Sequence, residues 1–247
     1  MTTVLLFLFL IWSVSIWWLS KQRLASKPWL ESGRELTVKR VDGAQFLKPK
    51  VGLIVLLAII GMFFALLISA NFMRQELHDW RQVPLPNITW LNTELLIMSS
   101  LSLQFALVIA RRNRDSSFPQ AGAEVTKRTS TRYIKIGLGL ACFTSLGFLV
   151  GQLMAWAELS NSGFNLTGNP ANSFFYMLTG IHGLHILGGL VVLGRTIQGA
   201  WVEMPREQLL QRVNLCAIYW HFLLLIWVAL LIVMLGWAHD PFISAHH

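Results

Sequence analysis

Residues 51–72 read VGLIVLLAIIGMFFALLISANF, an unbroken run with no charged side chain and only Ser69 and Asn71 carrying polar side-chain atoms. About 20 apolar residues in a helix cross the ~30 Å hydrocarbon layer of a bilayer. This stretch therefore reads as a membrane span. Five further blocks of the same kind lie around it, at 3–20, 91–110, 134–157, 173–194 and 213–237. A segment in lipid must satisfy its backbone internally, which restricts spans to helices or closed barrels, and continuous apolar runs of this length are helical. The expected fold is an all-α polytopic membrane bundle of about six transmembrane helices, forming one integral membrane domain over 1–247.

Composition agrees. The chain is 54% hydrophobic and 13% charged, against about a quarter charged in soluble domains, and its mean hydropathy is +0.54. Net charge is +8. Nucleic acid is excluded as a partner, because the basic residues stand between apolar blocks instead of along one interleaved face. They read as charges that set topology and face lipid head groups. Cys142 and Cys216 both fall inside apolar blocks, without disulfide or metal spacing, and read as small buried hydrophobes.

Topology follows from the loops. The 21–50 segment carries eight Lys and Arg, including Lys21, Arg23, Lys39 and Arg40. The 111–135 connection carries Arg111, Arg112, Arg114, Lys127, Arg128, Arg132 and Lys135, and 195–212 carries Arg195, Arg206 and Arg212. Between these, 73–90 has only Arg74 and Arg81, while 158–172 and 238–247 have no Lys or Arg. Such alternation predicts basic loops in the cytoplasm and both termini on the outer, periplasmic face of a bacterial inner membrane. The first block has its charges after the apolar run, at Lys21, and not before it. That order predicts a retained helix inserted N-terminus out, not a cleaved signal. The 21–50 connection is expected on the inner membrane surface, and 113–133 as a flexible cytoplasmic link.

Trp80, Trp90 and Trp156 fall near expected membrane boundaries, as an aromatic belt would. Asn87-Ile88-Thr89 and Asn165-Leu166-Thr167 match a glycosylation pattern, which carries no meaning in a bacterial chain. Gly137, Gly139, Gly147, Gly151, Gly180, Gly183, Gly188 and Gly189 suit close helix approach, with Gly147 and Gly151 at packing-motif spacing. No internal repeat or separate soluble domain is visible.

Ionisable groups inside membrane helices are costly and mark candidate function. Here they are Glu94 and Glu158 near outer helix ends, and His182, His185 and His221. At ~1.5 Å per residue, His182 lies roughly 13 Å and His185 roughly 18 Å below the outer edge of their helix. His221 rises about 12 Å from the inner edge of the next helix, so His185 and His221 reach matching depth. Three readings fit: axial haem ligands, a proton relay, or polar contacts to neighbouring helices or lipid. A relay would want carboxylates, and no Asp or Glu lies centrally in any block. The i, i+3 spacing of His182 and His185 cannot clamp opposite faces of one haem. No nucleotide loop, metalloprotease pair or nucleophile elbow is present.

One run is more specific. Asn172-Ser173-Phe174-Phe175-Tyr176-Met177-Leu178-Thr179-Gly180-Ile181-His182-Gly183-Leu184-His185, with Gly188-Gly189, resembles the penultimate helix of haem-copper oxidase subunit III. Tyr219-Trp220-His221-Phe222 and Trp227 resemble the start of that family's last helix. Trp90-Leu91-Asn92-Thr93 with Ser99-Ser100, Gln152 with Trp156, and Gly52 with Met62-Phe63-Phe64 extend the likeness over 51–237. The resemblance implies an accessory, non-redox subunit of a terminal oxidase, with haem and copper in partner subunits I and II. Such a subunit flanks subunit I, retains structural phospholipid and supports proton uptake. It assigns no catalytic, cofactor or metal residue to this chain. Its candidates for structural, lipid or subunit contacts are His182, His185, His221, Trp220, Trp227, Gln152, Trp156, Asn92 and Tyr176.

The family has seven-helix and five-helix forms, and this chain reads as the last five helices plus one in front. It departs from the family at Ile60, where a glutamate is common, and at Leu224, where an aspartate is common. The related subunit of nitric oxide reductases, a quinol oxidase subunit III and, more distantly, a haem b membrane anchor are the alternatives.

Overall fold

The computed structural model describes residues 43–76, 80, 83–115, 123–166, 168–202 and 204–235. These residues form five helices and no strand: α1 (Gly43–Gln75), α2 (Ile88–Asp115), α3 (Ala123–Asn161), α4 (Pro170–Trp201) and α5 (Arg206–Met234). All five are long and apolar enough to cross a membrane, over Pro49–Gln75, Ile88–Arg112, Thr129–Asn161, Pro170–Trp201 and Arg206–Met234. The expected first span, 3–20, and the connection up to residue 42 lie outside the described residues.

Each helix begins before its apolar block and the first four also run on past its end, whereas α5 stops at Met234, short of the expected 237. The 195–212 connection shrinks to 202–205, since α4 continues to Trp201 and α5 starts at Arg206. Hydropathy stops where lipid stops. The backbone has no reason to unwind there, because long basic side chains extend to the interface while their residues stay helical. The start of α4 has a local signal of its own: Asn169 caps the helix, its side-chain oxygen accepting from the Ala171 N–H at 3.2 Å, with Pro170 at the first helical position. Proline has no N–H to lose there.

Small residues bring α2 and α3 together. A Cβ on Gly137 would stand 3.0 Å from the Ala106 Cβ and 3.1 Å from the Ser102 carbonyl oxygen, one on Gly147 would press on Leu95, and one on Gly151 would collide with the Asn92 carboxamide. The Gly147/Gly151 spacing thus faces α2. On α4, Gly180 meets Trp156 and Gly183 meets Leu149, both of α3. Of the glycine pair at 188–189, Gly189 makes the close approach: a Cβ there would lie 2.7 Å from Tyr219 and 2.9 Å from Trp220 on α5, whereas Gly188 faces open space.

Among the described residues the core falls into three clusters. Leu103, Ala106, Leu138, Leu193, Val213 and Trp220 pack its largest cluster. Leu96, Phe148, Ile186, Leu223 and Trp227 form another. The remaining helix, α1, is different. It docks through Ile60 and Phe64 against Leu178, Ile226 and Leu230, yet no Cα of α1 comes within 8 Å of a Cα in another described helix. Side chains alone bridge the gap. Ile59, Met62, Leu66 and Met73 are all exposed along its length.

Candidate functional site

Among the described residues, buried polar side chains are distributed along the helices, and of these His182 of α4 is the one ionisable group. That side chain is fully buried. Its ring lies 5.3 Å from Trp227 at 30°, and meets Phe148 edge-on at 5.8 Å and Phe64 edge-on at 6.2 Å. Neither imidazole nitrogen has a hydrogen-bond partner. The ring is held by aromatic packing on three sides, and Phe64 is the one cage member supplied by α1.

The other two histidines behave differently. Nδ1 of His185 lies 2.8 Å from the Ile181 carbonyl oxygen, and Nδ1 of His221 bonds the Ala217 carbonyl, each one turn back in its own helix. A carbonyl only accepts, so each Nδ1 carries a proton. His185 is half-buried against Phe64 at 5.6 Å, and its own carbonyl accepts the Tyr219 hydroxyl at 2.8 Å. His221 is exposed. Matching depth therefore does not become a shared site: among the described residues no ring contact joins His185 to His221. Glu94 and Glu158 are likewise exposed. Among the described residues no three His, Cys, Asp or Glu side chains stand together as a metal would need.

The tryptophans of the sequence reading repeat one device. Trp220 Nε1–H donates to Ser145 Oγ at 3.0 Å, Trp227 Nε1–H to Thr93 Oγ1 at 2.9 Å, and Trp156 Nε1–H to Thr179 Oγ1 at 3.0 Å. Each hydroxyl lies on a different helix from its indole. Each hands its own proton to a carbonyl one turn back: Ala141, Thr89 and Phe175 respectively. An indole has only a donor, and a Ser or Thr on a helix supplies the acceptor while its proton stays in the helix. These three bonds tie α5 to α3, α5 to α2, and α3 to α4. Ser99 joins the first of them, 2.6 Å from Ser145. Ser145 was not singled out from sequence, and Thr179 only as part of the 172–185 run; the available signal was a hydroxyl inside an apolar block.

The remaining candidates lie toward the end of the bundle where α2 and α4 begin. Asn92 donates through Nδ2 to Gln152 Oε1 at 3.3 Å, both side chains buried. The Tyr176 hydroxyl donates to the Phe164 carbonyl at 3.1 Å and so pins the 162–166 turn to α4. The arrangement is one of helix-to-helix fastening. Ile60, where a carboxylate was looked for, is a buried member of the α1 contact, and Leu224 packs at the edge of the Phe148–Trp227 cluster.

Comparison with known proteins agrees with the run at 172–185. The family model described as cytochrome c oxidase subunit III matches residues 50–239. A probable cytochrome c oxidase subunit 3 of Mycobacterium tuberculosis (strain H37Rv) is 29% identical over 189 residues, covering 74% of this chain and 85% of its own. The Mycobacterium leprae protein of the same description is 28% identical over the same shares. Cytochrome c oxidase subunit 3 of Thermostichus vulcanus is 27% identical over 186 residues, covering 73% and 83%.

Proposed function

This chain belongs to the cytochrome c oxidase subunit III family, and from that premise we propose that it is the accessory, non-redox subunit of a proton-translocating terminal oxidase. In this reading it binds the flank of subunit I, holds structural phospholipid and supports proton uptake, while haem and copper reside in partner subunits I and II. One observation carries the reading. The indoles of Trp156, Trp220 and Trp227 are committed to bonds with hydroxyls of neighbouring helices, and apolar side chains stand at 60 and 224. The exposed apolar length of α1, held away from the other helices, suits a surface that meets lipid or another subunit.

Isolation through an affinity tag on this chain tests the assignment. The tagged chain is expected to bring down subunits I and II with a haem signal, while the chain separated from them shows none in a reduced-minus-oxidised spectrum. A haem signal that stays with the separated chain would return His185 and His221 to the role of ligands.

The charge alternation supports both termini on the periplasmic side of a bacterial inner membrane. Single cysteines at Ser117 and Ser162 are then expected to label from opposite sides of the membrane with an impermeant maleimide. Equal labelling of both in intact cells contradicts that orientation.

A further inference from the structure

A cavity of about 40 Å³ lies at the end of the bundle where α1 and α5 finish and α4 begins. Asn71 and Gln75 of α1, Ala171 and Phe175 of α4, and Val233 and Met234 of α5 help to wall it. Trp80 adds to the wall, its ring 6.1 Å from that of Phe174. Asn71 is 4% exposed and, among the described residues, is the one buried polar side chain of α1. Its Oδ1 has no hydrogen-bond partner. A buried acceptor left unpaired is costly, and this one borders open space. Further acceptors stand on the α5 side. Val233 and Met234 belong to the last turn of α5, where carbonyls run out of helical donors.

Size and chemistry narrow the occupant. A cavity that admits a benzene ring measures about 150 Å³, so a ring-bearing ligand is too large for this one. An apolar guest of any size would leave Asn71 Oδ1 unpaired. An anion would bring acceptors to a place that already has them. A cation would find acceptors, but among the described residues no Asp or Glu lines the cavity to offset its desolvation. What fits is a small neutral molecule with more than one donor. Water carries two O–H groups, and at roughly 10–15 Å³ for each molecule about three can enter. Asn71 Oδ1, the Gln75 carboxamide one turn further along α1 and the end carbonyls of α5 supply the polar partners that a buried water needs.

We propose that a cluster of about three water molecules binds at Asn71 and forms a hydrated joint between α1, α4 and α5. Such a joint matches the way α1 is held. No Cα of α1 comes within 8 Å of a Cα in another described helix, so small-residue packing does not fasten it. Ile60 and Phe64 bridge the gap with apolar side chains, and at Asn71 water bridges it. The joint depends on the bundle alone and stands or falls separately from the oxidase assignment.

The test uses the full chain in its native membrane complex and has two readouts. X-ray pulses split bound water into hydroxyl radicals that hydroxylate the rings beside it, and mass spectrometry then counts the product at each ring. Phe175, 4% exposed, borders the cavity, whereas Phe148 is fully buried in a packed cluster. Phe175 is expected to be hydroxylated and Phe148 to stay protected. Asn71→Leu, close in shape but without an acceptor, is expected to lower Phe175 to the level of Phe148. Should that variant also expose Phe148, the bundle has opened, and Ala171→Leu, which fills the cavity with Asn71 in place, decides by the same comparison. The second readout is an electron cryo-microscopy map that resolves water, expected to show separate peaks within about 3.2 Å of Asn71 Oδ1. Phe175 as protected as Phe148 in the native chain overturns the proposal, as does labelling that persists when the cavity is filled. Continuous density from a lipid head group or a partner side chain at Asn71 overturns it too.

Discussion

An oxidase stripped of this chain is expected to keep its haem spectrum and part of its initial rate of oxygen reduction, then to lose activity progressively over repeated turnover. The expectation follows from where the buried polar groups of the bundle are spent. The three indoles, and the hydroxyls that receive them, are closed on helix carbonyls. His182 is enclosed by Phe64, Phe148 and Trp227. The carboxylates Glu94 and Glu158 are exposed, and apolar groups stand at Ile60 and Leu224. None of these forms a conducting series through the bundle. On the proposed reading, what the chain offers a partner is apolar area, above all along α1. Removing such a support leaves electron transfer and oxygen chemistry in place but lets the partner relax, so damage accumulates with turnover. Proton pumping is expected to weaken in parallel. Oxygen consumption followed over time, with spectra taken at both ends, decides it. An immediate and complete loss of rate in a spectrally intact complex places an essential group in this chain. Loss of the haem signal makes it an assembly or cofactor-binding subunit.

The helices were legible in the sequence because lipid demands long uninterrupted apolar runs, and 51–72 announces one without ambiguity. Their rotational phase was not. In water a helix shows an apolar stripe toward the core and a polar face outward. In a bilayer both sides are apolar, so Phe143 at the surface and Phe148 in the core look alike in the sequence. The same blindness covers the histidines: depth came from counting residues, but nothing marked His182 as enclosed and His221 as exposed. It also separates Gly188, which faces open space, from Gly189, which presses on two rings. The specific run at 172–185 named the right family for the bundle. The partners of its tryptophans remained hidden, since Ser145 lies 75 positions from Trp220 and Thr93 lies 134 from Trp227. A single hydroxyl whose proton is absorbed by its own helix leaves no trace in hydropathy.

Replacement of Trp220 by alanine is expected to be the most damaging single change in the bundle, well beyond the loss of its hydrogen bond. The side chain is fully buried, meets Tyr219 edge-on at 5.8 Å and faces Gly189 across the α4–α5 contact. Truncation leaves a ring-sized void against a glycine that has no side chain with which to fill it. Deleting a buried aromatic costs about 3–5 kcal/mol in well-packed cores, and packing is a principal force between membrane helices. Trp220→Phe keeps most of the ring and loses one interhelical bond, worth about 1 kcal/mol. Ser145 loses nothing by it, because its oxygen still has the Ser99 hydroxyl 2.6 Å away and its proton still goes to Ala141. Ser145→Ala is the reverse case: it leaves the indole N–H buried and unpaired, which costs about 1–3 kcal/mol. The expected order of damage is therefore Trp220→Ala, then Ser145→Ala, then Trp220→Phe. It is read as the temperature at which the subunit dissociates from the complex in mild detergent. If Trp220→Phe proved as harmful as Trp220→Ala, the hydrogen bond and not the packed ring would be holding α5 to its neighbours.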